Sequence, residues 1–259
     1  MDLGIKGKRA LVCASSKGLG LGCARALAAA GVDLVMNARG SEALEASAEA
    51  IRKEFGVDVV TIATDVTTLE GQAAVIDAAS NVDILVTNAG GPPPGNWTDW
   101  DREDFIKALD ANMLTPIALI KALVPHMIEK GWGRVVNITS VSVKSPIPAL
   151  GLSNSSRAGL TGYVAGVSRQ VASKGVTINN LQPGIHATDR MVNLDGAAAK
   201  TQGIPVEDVQ KQRLASIPAG RYGTSDEFGA TCAFLCSQHA GFIVGQNILL
   251  DGGATNTTM

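Results

Sequence analysis

The feature that most constrains this chain's fold is an alternation. Short apolar runs rich in Val, Ile and Leu take turns with longer segments of helical character, from residue 9 almost to the C-terminus. Arg9-Ala10-Leu11-Val12-Cys13 reads as a strand, and Gly18-Leu19-Gly20 leads into an alanine-rich helix through Ala30. Val32 to Met36, after the helix-ending Gly31, reads as a second strand, and residues 42–55 as a helix. Val57 to Ala63 is a third strand, Leu69 to Ala79 a helix, and Asp83-Ile84-Leu85-Val86-Thr87 a strand of the kind buried on both faces. A long helix is expected over about 101–129, with Phe105, Leu109, Met113, Ile117, Ile120 and Val124 at helical spacing and a kink at Pro116. Arg134 to Thr139, a helix over Leu152 to Ser173, and strands at Val176 to Gln182 and Asn247 to Leu250 complete the series. Alternation of this kind implies parallel strands with right-handed crossovers. The expected fold is therefore α/β, a doubly wound (Rossmann-type) parallel seven-stranded sheet, in a single domain over residues 1–259.

Composition fits and narrows the function. The 259 residues, 46% hydrophobic and 4% aromatic, suit one close-packed α/β unit. A net charge of −2 gives no electrostatic reason to expect nucleic acid or a membrane surface. No uninterrupted apolar stretch approaches the roughly 20 residues of a membrane span, and the N-terminus runs into a strand without the apolar stretch of a signal peptide. The expectation is a cytoplasmic protein with a small-molecule substrate. Cys13, Cys23, Cys232 and Cys236 form no CxxC pair; Cys232 and Cys236 share a helix face but read as small core residues. His126 and His239 read as surface or helix-end residues, and no metal is expected.

In a doubly wound sheet the ligand sits beyond the carboxyl ends of the strands, where strand order reverses. The first such end is Ala14-Ser15-Ser16-Lys17-Gly18-Leu19-Gly20. Glycines 18 and 20 let the backbone approach a pyrophosphate, which the N–H groups and dipole of the following helix would hold. The second strand ends Met36-Asn37-Ala38-Arg39-Gly40, with no acid to hold a free ribose 2′-hydroxyl. Arg39 and Lys17 would instead accommodate a 2′-phosphate, so NADP(H) is preferred over NAD(H).

With these residues placed, the chain resembles the short-chain dehydrogenase/reductase family, in particular its 3-oxoacyl-carrier-protein-reductase-like members, over nearly its whole length. Thr64-Asp65-Val66, Asn88-Ala89-Gly90, Asn112, Ser140, Pro183-Gly184 with Thr188, Arg221-Tyr222-Gly223 and Asp251-Gly252-Gly253 all follow in order. The resemblance implies that Ala14, Ser16, Lys17, Gly18, Leu19, Gly20, Arg39, Asp65, Val66, Asn88, Ala89, Gly90, Pro183, Gly184, His186 and Thr188 bind the cofactor. It also implies a helical lid at about 189–218, an opposite wall at Gly91-Pro92-Pro93-Pro94-Gly95, and a homotetramer or dimer. The small residues Gly159, Gly162, Ala165 and Gly166 would let a second helix approach closely.

The chain departs from the family at two places. Cys13 and Ala14 stand where its glycine loop begins Thr-Gly, so that turn must tolerate one methyl group. More consequential, Ser153-Asn154-Ser155-Ser156-Arg157 stands in place of Tyr-x-x-x-Lys. Neither Tyr163 nor Tyr222 recreates the pair. Arg157 can hydrogen-bond the nicotinamide ribose or a substrate anion, but it does not give up its proton. Ser140 and Ser153 can donate to an oxygen where charge develops. A good general acid, typically about 10²–10⁴-fold in rate, is lost. His186, beside the expected nicotinamide, either supplies the proton or packs; a water relay through Ser153, Asn112 and Arg157 is the other source. The catalytic candidates are thus Ser140, Ser153, Arg157 and Asn112. Three functions follow: an NADP(H)-dependent carbonyl/alcohol oxidoreductase with an atypical Ser/Arg site, a reductase of a polarised C=C or C=N bond, or a non-catalytic cofactor-binding sensor or scaffold.

Overall fold

The structure is a computed structural model describing residues 1–257. Seven parallel strands form one sheet: β1 Arg9–Val12, β2 Asp33–Ala38, β3 Val59–Ala63, β4 Ile84–Thr87, β5 Gly133–Ile138, β6 Val176–Pro183 and β7 Asn247–Leu250, in spatial order β3-β2-β1-β4-β5-β6-β7. The order reverses between β1 and β4, and that is where the loops after both strands open a crevice.

Each face of the sheet carries its own apolar layer. Leu27 from α1 (Gly18–Ala29), Leu44 and Ile51 from α2 (Ser41–Phe55), and Phe228 from α9 (Ser225–Leu235) pack with Val12, Leu34 and Val86 on one side. On the other side, Val75 from α3 (Leu69–Ala78), Leu123 from α5 (Thr115–Glu129) and Val164 from α6 (Gly151–Val171) meet Leu11, Leu85 and Val135. Adjacent strand residues go to opposite layers, as Leu85 and Val86 do, because strand side chains alternate. All four cysteines are free and buried, and among the described residues no group of His, Cys, Asp and Glu is placed to hold a metal ion.

The expected helix over 101–129 forms as one run, Arg102–Glu129, with a change of winding inside it. α4 (Arg102–Leu109), opened by an Asp101–Asp104 capping box, runs into a wide π-turn at Asp110–Leu114 before α5 begins. Pro116 stands in the first turn of α5, directly after that π-turn. With no N–H, it leaves the carbonyl of Asn112, in the middle of the π-turn, without its usual helical donor. The run Arg102–Glu129 is also long and apolar enough, by length and composition, to cross a membrane, contrary to the expectation that no stretch approaches a span. Leu119, Ile120, Leu123, Val124 and Met127 bury its apolar stripe inside the protein.

A polar line crosses the buried sheet just below the crevice. Thr87 Oγ1 donates to Asn137 Oδ1 (2.7 Å), Asn137 Nδ2 to Asn180 Oδ1 (3.1 Å), and Asn180 Nδ2 to Asn247 Oδ1 (2.8 Å). These four residues are direct neighbours in register across β4 to β7. A buried amide without a partner costs about 1–3 kcal/mol, so the line fixes the register of the strands whose ends carry the site.

Candidate active site

The loop after β1 is held tightly against β4. Ala14 has φ +47, the only positive φ of a non-glycine among the described residues. The methyl group is thus held in left-handed backbone, costing roughly 1–2 kcal/mol, and is less mild than its size suggests. Asn88 Nδ2 donates to the Ala14 carbonyl oxygen at 3.4 Å. A Cβ on Gly20 would lie 2.2 Å from that same oxygen, so no other residue lets α1 start so close to the strand. The N-cap of α1, Lys17, gives no side-chain hydrogen bond to the helix, and no acid sits in its first turn. Its first N–H groups are left for an anion. Leu19 is partly buried, and Ser16 has its carbonyl tied by the Ser47 hydroxyl at 2.9 Å.

Other expected cofactor contacts gather round this crevice. Thr188 faces Gly18, whose Cβ would meet only the threonine methyl at 3.7 Å, and a Cβ on Gly90 would meet nothing within 4 Å. Ala89 is partly buried. Pro183 ends β6, and Gly184 approaches Asp251 so closely that its Cβ would lie 2.5 Å from that residue's. Asp65 accepts from the Thr67 N–H (3.0 Å) and hydroxyl (2.8 Å), which hold its pKa below the usual carboxylate range, with Arg39 adding a smaller pull. Val66 beside it is buried. Uncapped helix N–H groups, open space at Gly90 and the cation Arg39 suit a phosphorylated dinucleotide.

The two cations expected at its ribose differ in circumstance. Arg39 is exposed, directly after β2. Lys17 pairs with Asp189 at 3.4 Å, both side chains being about three-quarters exposed (73% and 74%). An ion pair so exposed contributes about 0–1 kcal/mol, so Lys17 is easily released to a phosphate.

Beyond β5, helix α6 presents Ser153 and Arg157 one turn apart, both buried. Arg157 Nε donates to Ser153 Oγ at 3.2 Å, and Nη1 donates to the Ile138 carbonyl at the end of β5 at 2.8 Å. Burial, with Arg190 adding repulsion, pushes the Arg157 pKa down to about 10. The group remains cationic at neutral pH. Ser140 begins the turn Val141–Val143 against which α6 packs, and its Oγ accepts from the Ser142 N–H at 3.1 Å. Asn112 is 3% exposed; its Nδ2 bonds back to Ala108, and its Oδ1 has no partner. Such an orphaned acceptor calls for a water or ligand.

His186 resolves toward packing. Its ring stands edge-on to Phe228, with centroids 5.3 Å apart, and its Nδ1 is 3.3 Å from the Gly184 oxygen. Burial lowers its pKa, and the ring packs between the β6 loop and α9. The segment expected as a lid forms two helices, α7 (Asp189–Gln202) and α8 (Val206–Ala215), separated at Gly203 and Pro205. Arg190 of α7 donates to the carbonyls of Gly91 (2.9 Å) and Pro92 (3.3 Å), joining that helix to the proline-rich wall.

Comparison with known proteins agrees with the doubly wound fold. Residues 13–255 match the family described as enoyl-(acyl carrier protein) reductase. A dehydrogenase/reductase SDR family member 4 from Oryctolagus cuniculus is 31% identical over 252 residues, covering 95% of this chain and 93% of that protein. The chain belongs to the short-chain dehydrogenase/reductase family. A second member, a 3-oxoacyl-[acyl-carrier-protein] reductase from Vibrio cholerae, is 31% identical over 257 residues, covering 97% of this chain and 98% of its own. The solved L-sorbose reductase from Gluconobacter frateurii, complexed with NADPH and L-sorbose, superposes with a TM-score of 0.94 at 28% identity, over 99% of this chain and 100% of that one. Within this dehydrogenase/reductase, sequence reasoning missed Arg190 and the asparagine line. An asparagine inside an apolar strand was the available signal for the line; Arg190, one cation in a polar segment, gave none.

Proposed function

We propose that this short-chain dehydrogenase/reductase is an NADP(H)-dependent reductase in which Ser140, Ser153 and Arg157 hold negative charge on a substrate oxygen. The bond from Arg157 Nε to Ser153 Oγ carries this reading. Because the serine oxygen accepts, its own proton is left to donate; Ser140, accepting from Ser142, is in the same state. Bound NADPH supplies the hydride. Arg157 orients Ser153, contributes a fixed positive charge and excludes water from the floor of the site, but hands over no proton. Donors of this kind are worth about 2.7–4 kcal/mol each. The buried, unpartnered Asn112 Oδ1 supports a water at this residue as the proton's source instead. Relatives named as sorbose and 3-oxoacyl reductases support a carbonyl substrate.

A second reading, reduction of a C=C bond conjugated to a carbonyl, is favoured by one observation. No tyrosine stands at position 153, the ring of Tyr163 packs against the core, that of His186 against Phe228, and the Tyr222 phenol is pushed up by burial and Asp195. An enolate oxygen needs charge stabilisation at once and its proton only later; an alkoxide needs the proton as it forms. NADPH oxidation against matched ketones, enones and imines separates the two. Ser153→Ala should lower kcat on the productive class by about 10²-fold. NADPH binding without turnover on any class would leave only a cofactor-binding protein. We further propose a dimer or tetramer through α6, where Gly162 and Gly166 face open space; a monomeric mass by light scattering at micromolar concentration contradicts this.

A further inference from the structure

Two guanidinium groups near the carboxyl ends of β4 and β5 have no acid partner among the described residues. Arg157, 8% exposed, is bound only to the Ile138 carbonyl and the Ser153 hydroxyl, both neutral. Arg190 is bound only to the Gly91 and Pro92 carbonyls, and lies so flat against Gly91 that a Cβ there would meet Nη2 at 2.6 Å. Among the described residues neither makes an ion pair, and the neighbouring acid, Asp189, is turned to Lys17. Their anchors lie beyond neighbouring strand ends: Gly91 and Pro92 follow β4, Ile138 ends β5, and Thr87 of β4 pairs directly with Asn137 of β5. The charge on Arg190 is close enough to help lower the Arg157 pKa.

A buried cation with only neutral partners is costly, and a second cation beside it raises that cost. The cofactor's phosphates have their own partners in the α1 N-terminus, Lys17 and Arg39. The Arg157–Arg190 pair is surplus to them. We infer that Arg157 and Arg190 form an anion seat, selecting a substrate that carries a carboxylate close to its reducible bond. This rests on the reading that hydride is delivered beside Ser153 and Arg157, and it names the substrate class for that site. The planar forks match a carboxylate bidentately, and Arg190 needs only to exchange two carbonyl contacts at the cleft edge.

Calorimetric titration of the protein–NADP⁺ complex with short 2-, 3-, 4- and 5-oxo acids and their methyl esters tests this. At least one acid should bind about tenfold or more tightly than its ester. Arg190→Met should reduce that preference to about twofold or less, Arg190→Lys should restore part of it, and NADPH affinity should stay within about threefold. The inference is overturned if no acid outbinds its ester, or if the preference survives in Arg190→Met. It is equally overturned if Arg190→Met weakens NADPH as much as the acids, since the anion would then be the cofactor's own phosphate. Arg190 is exposed and lies outside both apolar layers, and circular dichroism checks that the variants keep the fold. The titration reads binding alone. Acid-selective binding with no NADPH oxidation would refute the reductase reading and leave the seat intact.

Discussion

Replacing Arg157 with methionine removes the charge while keeping much of the side chain's volume. In the folded protein its pKa is pushed down to about 10 from 12.5, mainly by burial. At about 1.4 kcal/mol per decade, keeping that charge costs the fold roughly 3 kcal/mol. Against this, Arg157 makes two hydrogen bonds, to Ile138 and Ser153, each worth about 1.5–3 kcal/mol when a charge is involved. The net loss in Arg157→Met is therefore about 0–3 kcal/mol. At roughly 2–4 °C per kcal/mol for a chain of this size, Tm should fall by no more than about 10 °C. Breaking a buried pair with a carboxylate would cost more, about 3–5 kcal/mol. Turnover should suffer far more than stability: kcat on the productive ketone or enone should fall by about 10²–10³-fold. The sign with pH follows from the same shift. Below pH 10 the group is charged in both folded and unfolded states, so it adds no pH dependence to stability there. The cost is relieved only as pH rises from about 10 toward 12.5, where the unfolded chain binds more protons. Scanning calorimetry and steady-state kinetics on one preparation decide the matter. A Tm drop well beyond 10 °C, or kcat within about threefold of the parent, refutes the account of Arg157 as an unpaired cation serving catalysis.

Three further outcomes are expected. Ala14→Gly should raise stability by about 0.5–1 kcal/mol, because relief of the left-handed backbone exceeds glycine's added chain entropy, while Ala14→Val should lower it; urea midpoints showing the opposite order would contradict the strain. Arg39→Asp should reduce or reverse a preference for NADPH over NADH, and equal dissociation constants for the two cofactors in the parent protein would remove the role given to Arg39. Glu227, bound by Arg221 and the Thr224 N–H, has its pKa lowered to about 2. Its stabilisation is present above the ordinary carboxylate range and is lost as pH falls toward 2, so Glu227→Gln should narrow the gap between denaturant midpoints at about pH 7 and pH 3; an unchanged gap argues against the Arg221 contact.

Alternating apolar periods and punctuating glycines determined the strands, the single doubly wound sheet and the glycine loop, because those signals are carried by residues within one element. Motif order along the chain carried the family in the same way, and one helical turn put Ser153 beside Arg157. Tertiary structure decided what depends on segments far apart in sequence. It turned His186 onto Phe228 of α9, placed a π-turn within the 102–129 helix, and strained Ala14 against β4. It also aligned Thr87, Asn137, Asn180 and Asn247 in one register and brought Arg190 across to Gly91, 99 residues away. Periodicity reports which face of an element is apolar. It carries no information about which polar group from another element arrives at the opposite side, and in this protein the charge balance of the site is set by those arrivals.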